Sequence, residues 1–272
     1  MNSKIFIMGA PNAGKSTFLG ALWSSINQKE VQTALTLKKM IGESQYLYRL
    51  EQKWLKVEQL ERTAIGQEKE KLSVLLTNGT DDLEMEFPDL SGETFQNIYE
   101  NREVSFELRD KISAADAILY FINVEDIHSL EFISEISPEL RQDEKDVKER
   151  KPCVDDPTQV QVIDLIQIVL EIRKKRTKIG IVFSAWDLVE TSEQNDVRAF
   201  LKNRMNMLWQ YLESNKCKID TRIWGVSAFG GKIEDAEKLL EVEDPIKRIR
   251  IVSEQKETSC DLTSIILEIS GD

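Results

Sequence analysis

The sequence predicts an α/β fold: a mostly parallel sheet of about six strands with helices on both faces. Three observations predict it. Short apolar runs recur along the chain, helical patterns separate the later ones, and a glycine-rich turn joins the first run to the first helix.

The elements follow in order. Residues 4–8 form a buried strand that stops at a glycine. Residues 15–26 carry Phe18, Leu19, Leu22, Trp23 and Ile26 at helical spacing. Residues 41–60 continue helically, with Leu47, Leu50, Trp54, Val57 and Leu60 on one stripe. Residues 71–76 and 83–87 are two strands, and Asn78-Gly79 is the hairpin signal between them. Residues 117–123, 178–183 and 221–226 are three further buried strands. The helices between them are residues 159–175 and 194–213, the second turning Val197, Leu201, Leu208 and Leu212 inward. The hairpin gives the sheet one antiparallel edge.

The basic run from Arg173 to Arg176 ends a helix, where positive charge offsets the negative end of the macrodipole. Residues 134–156 are dense in charge, poor in apolar side chains, and include Pro138 and Pro152, so they read as a solvated insertion. Residues 264–269 suit either a strand or a short helix. The expected organisation is one domain over residues 1–272, with a helical insertion at 38–62 and a charged insertion at 134–157.

Composition narrows the partners. An apolar content of 41 % over 272 residues is enough for a core. A net charge of −12 argues against non-specific binding to nucleic acid or an anionic membrane. A single phosphate site needs only local positive potential. Cys153, Cys217 and Cys260 are far apart, and the one histidine is His128, so zinc has almost no ligands. Unpaired cysteines suit a reducing compartment. The first apolar run is too short for a signal or a membrane span, and Asn2 excludes N-myristoylation. These features predict a cytoplasmic chain without stable membrane insertion and without a nucleic-acid partner.

The strongest signal is GAPNAGKS at residues 9–16, which fits GxxxxGK[ST] between a strand and a helix. In such a P-loop, Gly9, Asn12, Ala13, Gly14, Lys15, Ser16 and Thr17 surround the phosphates. Backbone N–H groups and the helix N-terminus cradle the β-phosphate. Lys15 reaches the β- and γ-phosphates, and Ser16 gives a hydroxyl to Mg²⁺. After the second hairpin strand, FPDLSG places Asp89 to hold Mg²⁺ through water. In the same segment Gly92 can offer its N–H to the γ-phosphate, where close backbone approach is needed.

The order GAPNAGKS, DLSG, SAWD and VSA resembles that of Ras-like GTPases of the translation-factor-related class, from Lys4 to Ala228. The resemblance implies a Ras-like P-loop fold, with GTP or GDP as ligand and Mg²⁺ as cofactor. It makes Asp187 of SAWD the acceptor for two guanine donors, which adenine lacks. The family's Asn and Lys are here Ser184 and Ala185, so the lysine stem that covers the base is missing. Ser227-Ala228 resembles the last motif, whose backbone N–H contacts the guanine oxygen. Arg62-Thr63 resembles an Arf-like switch segment. There the Thr63 hydroxyl joins the Mg²⁺ shell, and Arg62 is either a finger in cis or a surface arginine.

FLGALW after the P-loop, the tryptophan-bearing helix before Glu61-Arg62-Thr63, and FPDLSGETF resemble bacterial double-GTPase proteins of conflict and defence loci. That resemblance implies a protein effector or regulator within a multi-component system. Glu93 stands where Ras-like enzymes carry a water-positioning glutamine. Its carboxylate can orient or deprotonate water, or it can repel the γ-phosphate. The favoured reading is a GTP-hydrolysing molecular switch with Lys15, Glu93 and Arg62 as catalytic candidates. The alternatives are a non-hydrolysing nucleotide-binding scaffold and a P-loop ATPase.

Overall fold

The computed structural model describes residues 2–27, 32–41, 44–58, 72–87, 92–129 and 149–271. β1 (Asn2–Gly9) leads through a tight loop into α1 (Lys15–Asn27). β2 (Thr36–Ile41) and α2 (Ser44–Leu55) follow, then the hairpin of β3 (Leu72–Thr77) and β4 (Asp82–Phe87). α3 (Glu93–Asn101) and α4 (Phe106–Ala114) precede β5 (Ala117–Asn123). α5 (Pro152–Asp155) and α6 (Thr158–Arg173) precede β6 (Thr177–Ser184). α7 (Val197–Arg204) and α8 (Asn206–Ser214) lead to β7 (Ile219–Ser227). The chain ends with α9 (Ala236–Leu240), β8 (Arg250–Ser253), β9 (Thr258–Ser259) and α10 (Thr263–Ser270).

The nine strands among the described residues form one sheet in the order β2-β3-β4-β1-β5-β6-β7-β8-β9. β4, β1, β5, β6 and β7 are parallel, which requires the helical crossovers between them. The hairpin closes as its sequence predicts. Asn78 Oδ1 accepts from the backbone N–H groups of Thr80 at 2.9 Å and Asp81 at 2.7 Å.

Alternation along the central strands divides the core. Ile5, Ile7, Leu119 and Phe121 point to one face, under α1, α2 and α10. Phe6, Met8, Ile118 and Tyr120 point to the other, under α3, α4, α6, α7 and α8. Phe18 of α1 meets Phe121 edge-on with ring centroids 5.1 Å apart, which braces the helix that follows the P-loop. Such a pair adds about 0.5–1.5 kcal/mol beyond its buried area.

The sheet is wider than the six strands read from the sequence, and both edges are antiparallel. The insertion at 38–62 does not open as a helix. β2 pairs with β3 through a bulge between Leu37 and Lys39, and Lys38 meets Asp82 at 2.5 Å. Capture by a sheet edge overrides a weak local preference here. The helix begins at Ser44 and buries Leu47, Leu50 and Trp54 as its stripe predicts. β8 and β9 extend the opposite edge.

The single helix expected over 194–213 is two. Asp196 caps α7 by accepting from the Ala199 N–H at 2.9 Å. The chain breaks at Met205, buried at φ −135°, with neither glycine nor proline to mark it. Residues 264–269 are helical within α10. Arg173 also does more than offset its own helix. It is buried, and its guanidinium donates to Ile112 O at 3.0 Å and to Ala115 O, satisfying carbonyls at the end of α4.

Candidate functional site

β1 and α1 position the P-loop between them. Asn12 adopts a left-handed backbone at φ 60°, and Phe18 N–H closes the first helical turn onto Gly14 O at 2.9 Å. Lys15 is only 2 % exposed, and its ammonium donates to Gly9 O at 2.8 Å and Ala10 O at 2.7 Å. A buried charge requires such acceptors. They hold Nζ against the loop carbonyls, beside Ser16 at the start of α1.

Neighbouring strands press on the loop. Gly14 has φ 86°, and a Cβ there would lie 2.6 Å from Ser184 Cβ, so Ser184 at the end of β6 packs directly against it. Gly92 has φ 79°, and its Cβ would lie 2.5 Å from Ala10 C and Pro11 N. Only glycine lets the start of α3 approach the loop so closely. Asn123, at the end of β5, donates from Nδ2 to Asn12 O at 3.3 Å.

SAWD lies at the adjacent strand end. Ala185 is left-handed at φ 54°. Trp186 is buried and packs edge-on against Phe200 at 4.9 Å, while its indole N–H donates to Gln194 O at 2.8 Å. Gln194 returns Nε2 to Asp187 O at 3.1 Å and Val189 O at 2.7 Å. Arg250 of β8 fixes Gln194 in turn, donating to its Oε1 at 2.9 Å. The Ser227 hydroxyl donates to Asp187 Oδ1 and accepts from Gly230 N–H at 3.1 Å. Ala228 O accepts from the Trp54 indole at 2.8 Å.

One cavity of about 460 Å³ runs between these parts. Its lining includes Asn12, Gly14 and Thr17 from the P-loop side and Ser184, Ala185, Asp187 and Ala228 from the other. Gly9, Ala13, Lys15 and Ser16 belong to the same loop and helix start. Glu93 is the first residue of α3, next to Gly92 and partly buried. Arg62, Thr63 and Asp89 lie outside the described residues. Among those described, no three or more His, Cys, Asp or Glu residues gather as a metal site. No helix among them is long and apolar enough to cross a membrane.

Sequence reasoning missed Asn123, Phe229 and Lys232, which also line the cavity, as well as Gln194 behind Asp187. Asn123 had a signal, since it ends an apolar strand beside the P-loop strand. Gln194 had none, because its role depends on a turn that brings it back to SAWD.

A glycine-turned loop between β1 and α1, beside the parallel centre of the sheet, defines a P-loop nucleotide-binding protein. Residues 6–269 match the family described as Double-GTPase 1, and the chain belongs to that family. Solved structures overlap loosely. The G domain of the T. maritima FeoB iron transporter shares 15 % identity, with 88 % of this chain and 97 % of that one covered at a TM-score of 0.38. The Arl6 BBS3 small GTPase from Trypanosoma brucei shares 10 %, with 89 % and 96 % covered at 0.41. The small COPII coat GTPase SAR1 from Encephalitozoon cuniculi shares 13 %, with 98 % and 79 % covered at 0.39. No curated protein matches the chain.

Proposed function

We propose that the chain is a GTP-binding switch that hydrolyses GTP to GDP and phosphate. The observation that carries this reading is the shared cavity, lined by Asn12, Gly14 and Thr17 of the P-loop segment and by Asp187 of SAWD. The P-loop amides and Lys15 take the phosphates, and Asp187 accepts from the guanine N–H and amine. The Ser227-Ala228 turn presents backbone N–H to the guanine oxygen. The Double-GTPase 1 match supports the same ligand.

The donor set fits Mg²⁺, which prefers hard oxygen ligands and keeps several waters. Ser16, Thr63 and Asp89 would hold the ion, and when bound it neutralises charge on the phosphates. Gly92 offers its N–H to the γ-phosphate. Glu93, one residue on, orients the attacking water, and Arg62 stabilises charge on the transferred group. Loss of the γ-phosphate then releases the segments around Thr63 and Asp89.

That the strands among the described residues all join one sheet supports residues 1–272 as one GTPase-like domain. A role beside a protein effector in a bacterial defence or conflict system follows from the resemblance of FLGALW and FPDLSGETF to bacterial double-GTPase proteins. The three free cysteines support a cytoplasmic setting.

A second reading, a non-hydrolysing scaffold, is favoured by Glu93, whose negative charge would sit beside the γ-phosphate. Calorimetric titration with GTP, GDP and ATP tests the binding reading. GTP and GDP should bind and ATP should bind far more weakly. Equal affinity for ATP and GTP would make the chain a general P-loop NTPase, and no binding of either would reject the site.

A further inference from the structure

The stripe Leu47, Leu50, Trp54 on α2 reads in the sequence as plain core packing, and all three side chains are buried. Trp54 differs from the other two in carrying a donor. A fully buried indole needs a partner for its N–H. The partner is not in its own helix but 174 residues away, the Ala228 carbonyl, at 2.8 Å.

The indole is itself fixed from two sides. Arg248 stacks its guanidinium 4.7 Å from the ring centroid and donates from Nη2 to Trp54 O at 3.4 Å. On the other side α2 packs tightly on α1. A Cβ on Gly20 would lie 3.0 Å from Leu50 O and 3.4 Å from Trp54 Cβ. The helix that begins at the P-loop lysine therefore also sets the height of Trp54.

Ala228 is consequently held at both ends. Ser227 before it is tied to Asp187 and Gly230, and its own carbonyl is tied to Trp54. Peptide planarity transmits the constraint on the Ala228 carbonyl to the Phe229 N–H, which shares its plane and belongs to a residue that lines the cavity. A donor aimed in advance at a carbonyl acceptor favours guanine, whose ring carbonyl accepts, over adenine, whose amine donates. Preorganisation of this kind increases affinity by lowering the ordering cost of binding.

We infer that Trp54 is a positioning residue for base recognition, acting through the Ala228 carbonyl from a helix outside the four motifs. The inference rests on the proposed guanine site and assigns α2 a part in its selectivity.

The test compares GDP and ADP affinities by calorimetry in wild type, Trp54→Phe and Leu47→Ala. Phe keeps a ring and removes the donor. Leu47 lies about two turns earlier on the same stripe and controls for general loosening of the core. A ratio of affinities is insensitive to the fraction of folded protein. Trp54→Phe should lower the GDP:ADP preference about five- to tenfold, as loss of one aimed hydrogen bond predicts, while Leu47→Ala leaves it unchanged. A preference fully retained in Trp54→Phe, or lowered as much by Leu47→Ala, overturns the role of Trp54 alone. A wild-type ratio near one overturns the guanine site and this role with it. If Trp54→Phe does not fold, the indole N–H resonance of Trp54 in the wild-type protein decides. It should shift with GDP and not with ADP. An unmoved resonance with GDP bound overturns the inference.

Discussion

The Ser227 hydroxyl donates to the Asp187 carboxylate, so the end of β7 is tied to the residue that follows β6 and lines the cavity. Gly230 N–H and the Gln194 amide hold the two backbones on either side. The carboxylate is thus held by its neighbours, and under the proposed function its acceptor character selects the base.

Exchanging that character should exchange the ligand. Asp187→Asn replaces one acceptor oxygen with a donor, which suits xanthine, whose ring has a carbonyl where guanine has an amine. GTP affinity should fall about 10- to 100-fold, the cost of one or two mismatched buried groups, and XTP affinity should rise. Competition binding with GTP, XTP and ATP checks this. Unchanged preference among the three would reduce Asp187 to a structural acceptor for Ser227.

Glu93 separates chemistry from binding. If it orients the attacking water, Glu93→Ala should cut turnover by about 10²–10⁴-fold and leave GTP affinity intact. Tighter GTP binding with undiminished turnover would assign the carboxylate to repulsion of the γ-phosphate instead.

The helix that carries Glu93 has its own clamp. Tyr99 of α3 donates to Asp156 Oδ2 at 2.5 Å, and Arg150 pairs with the same carboxylate through Nε at 2.8 Å and Nη2 at 2.5 Å. The Arg150 hydrogen bonds, with help from Tyr99, hold the Asp156 carboxyl below its ordinary value. A lowered folded pKa gives stability that is present above the unfolded value and lost as pH falls through the folded one. Asp156→Asn should therefore lower the melting temperature by a few degrees at neutral pH. The gap to wild type should close as pH falls below about 4. A gap that is constant from pH 7 to pH 2 would contradict the ionic origin of the clamp.

The legibility of this chain follows local physics. The P-loop could be read because Gly14, Lys15 and Ser16 are adjacent in sequence, between a strand and a helix. The central strands could be read because β5 and β6 are short apolar runs, buried over nearly their whole length. β2 could not, because it is a strand only by pairing with β3. The break at Met205 has no helix-breaking residue. Trp54 escaped because it acts on a carbonyl 174 residues away, and Gln194 because a turn brings its amide back to Asp187 O seven residues earlier; a periodic pattern reports which face is buried rather than what a buried N–H meets.

The proposed function requires this P-loop to bind GTP and hydrolyse it. Single-turnover phosphate release from GTP and Mg²⁺, with protein in excess, tests it most directly, alongside Lys15→Ala. Lys15 anchors on Gly9 O and Ala10 O, and its loss removes the fixed cation of the proposed phosphate site. Wild type should release phosphate faster than buffer, and Lys15→Ala should bind GTP at least about tenfold more weakly and release none above buffer. Wild-type release no faster than buffer, with intact GTP still bound, would contradict the account and leave the isolated chain as a scaffold.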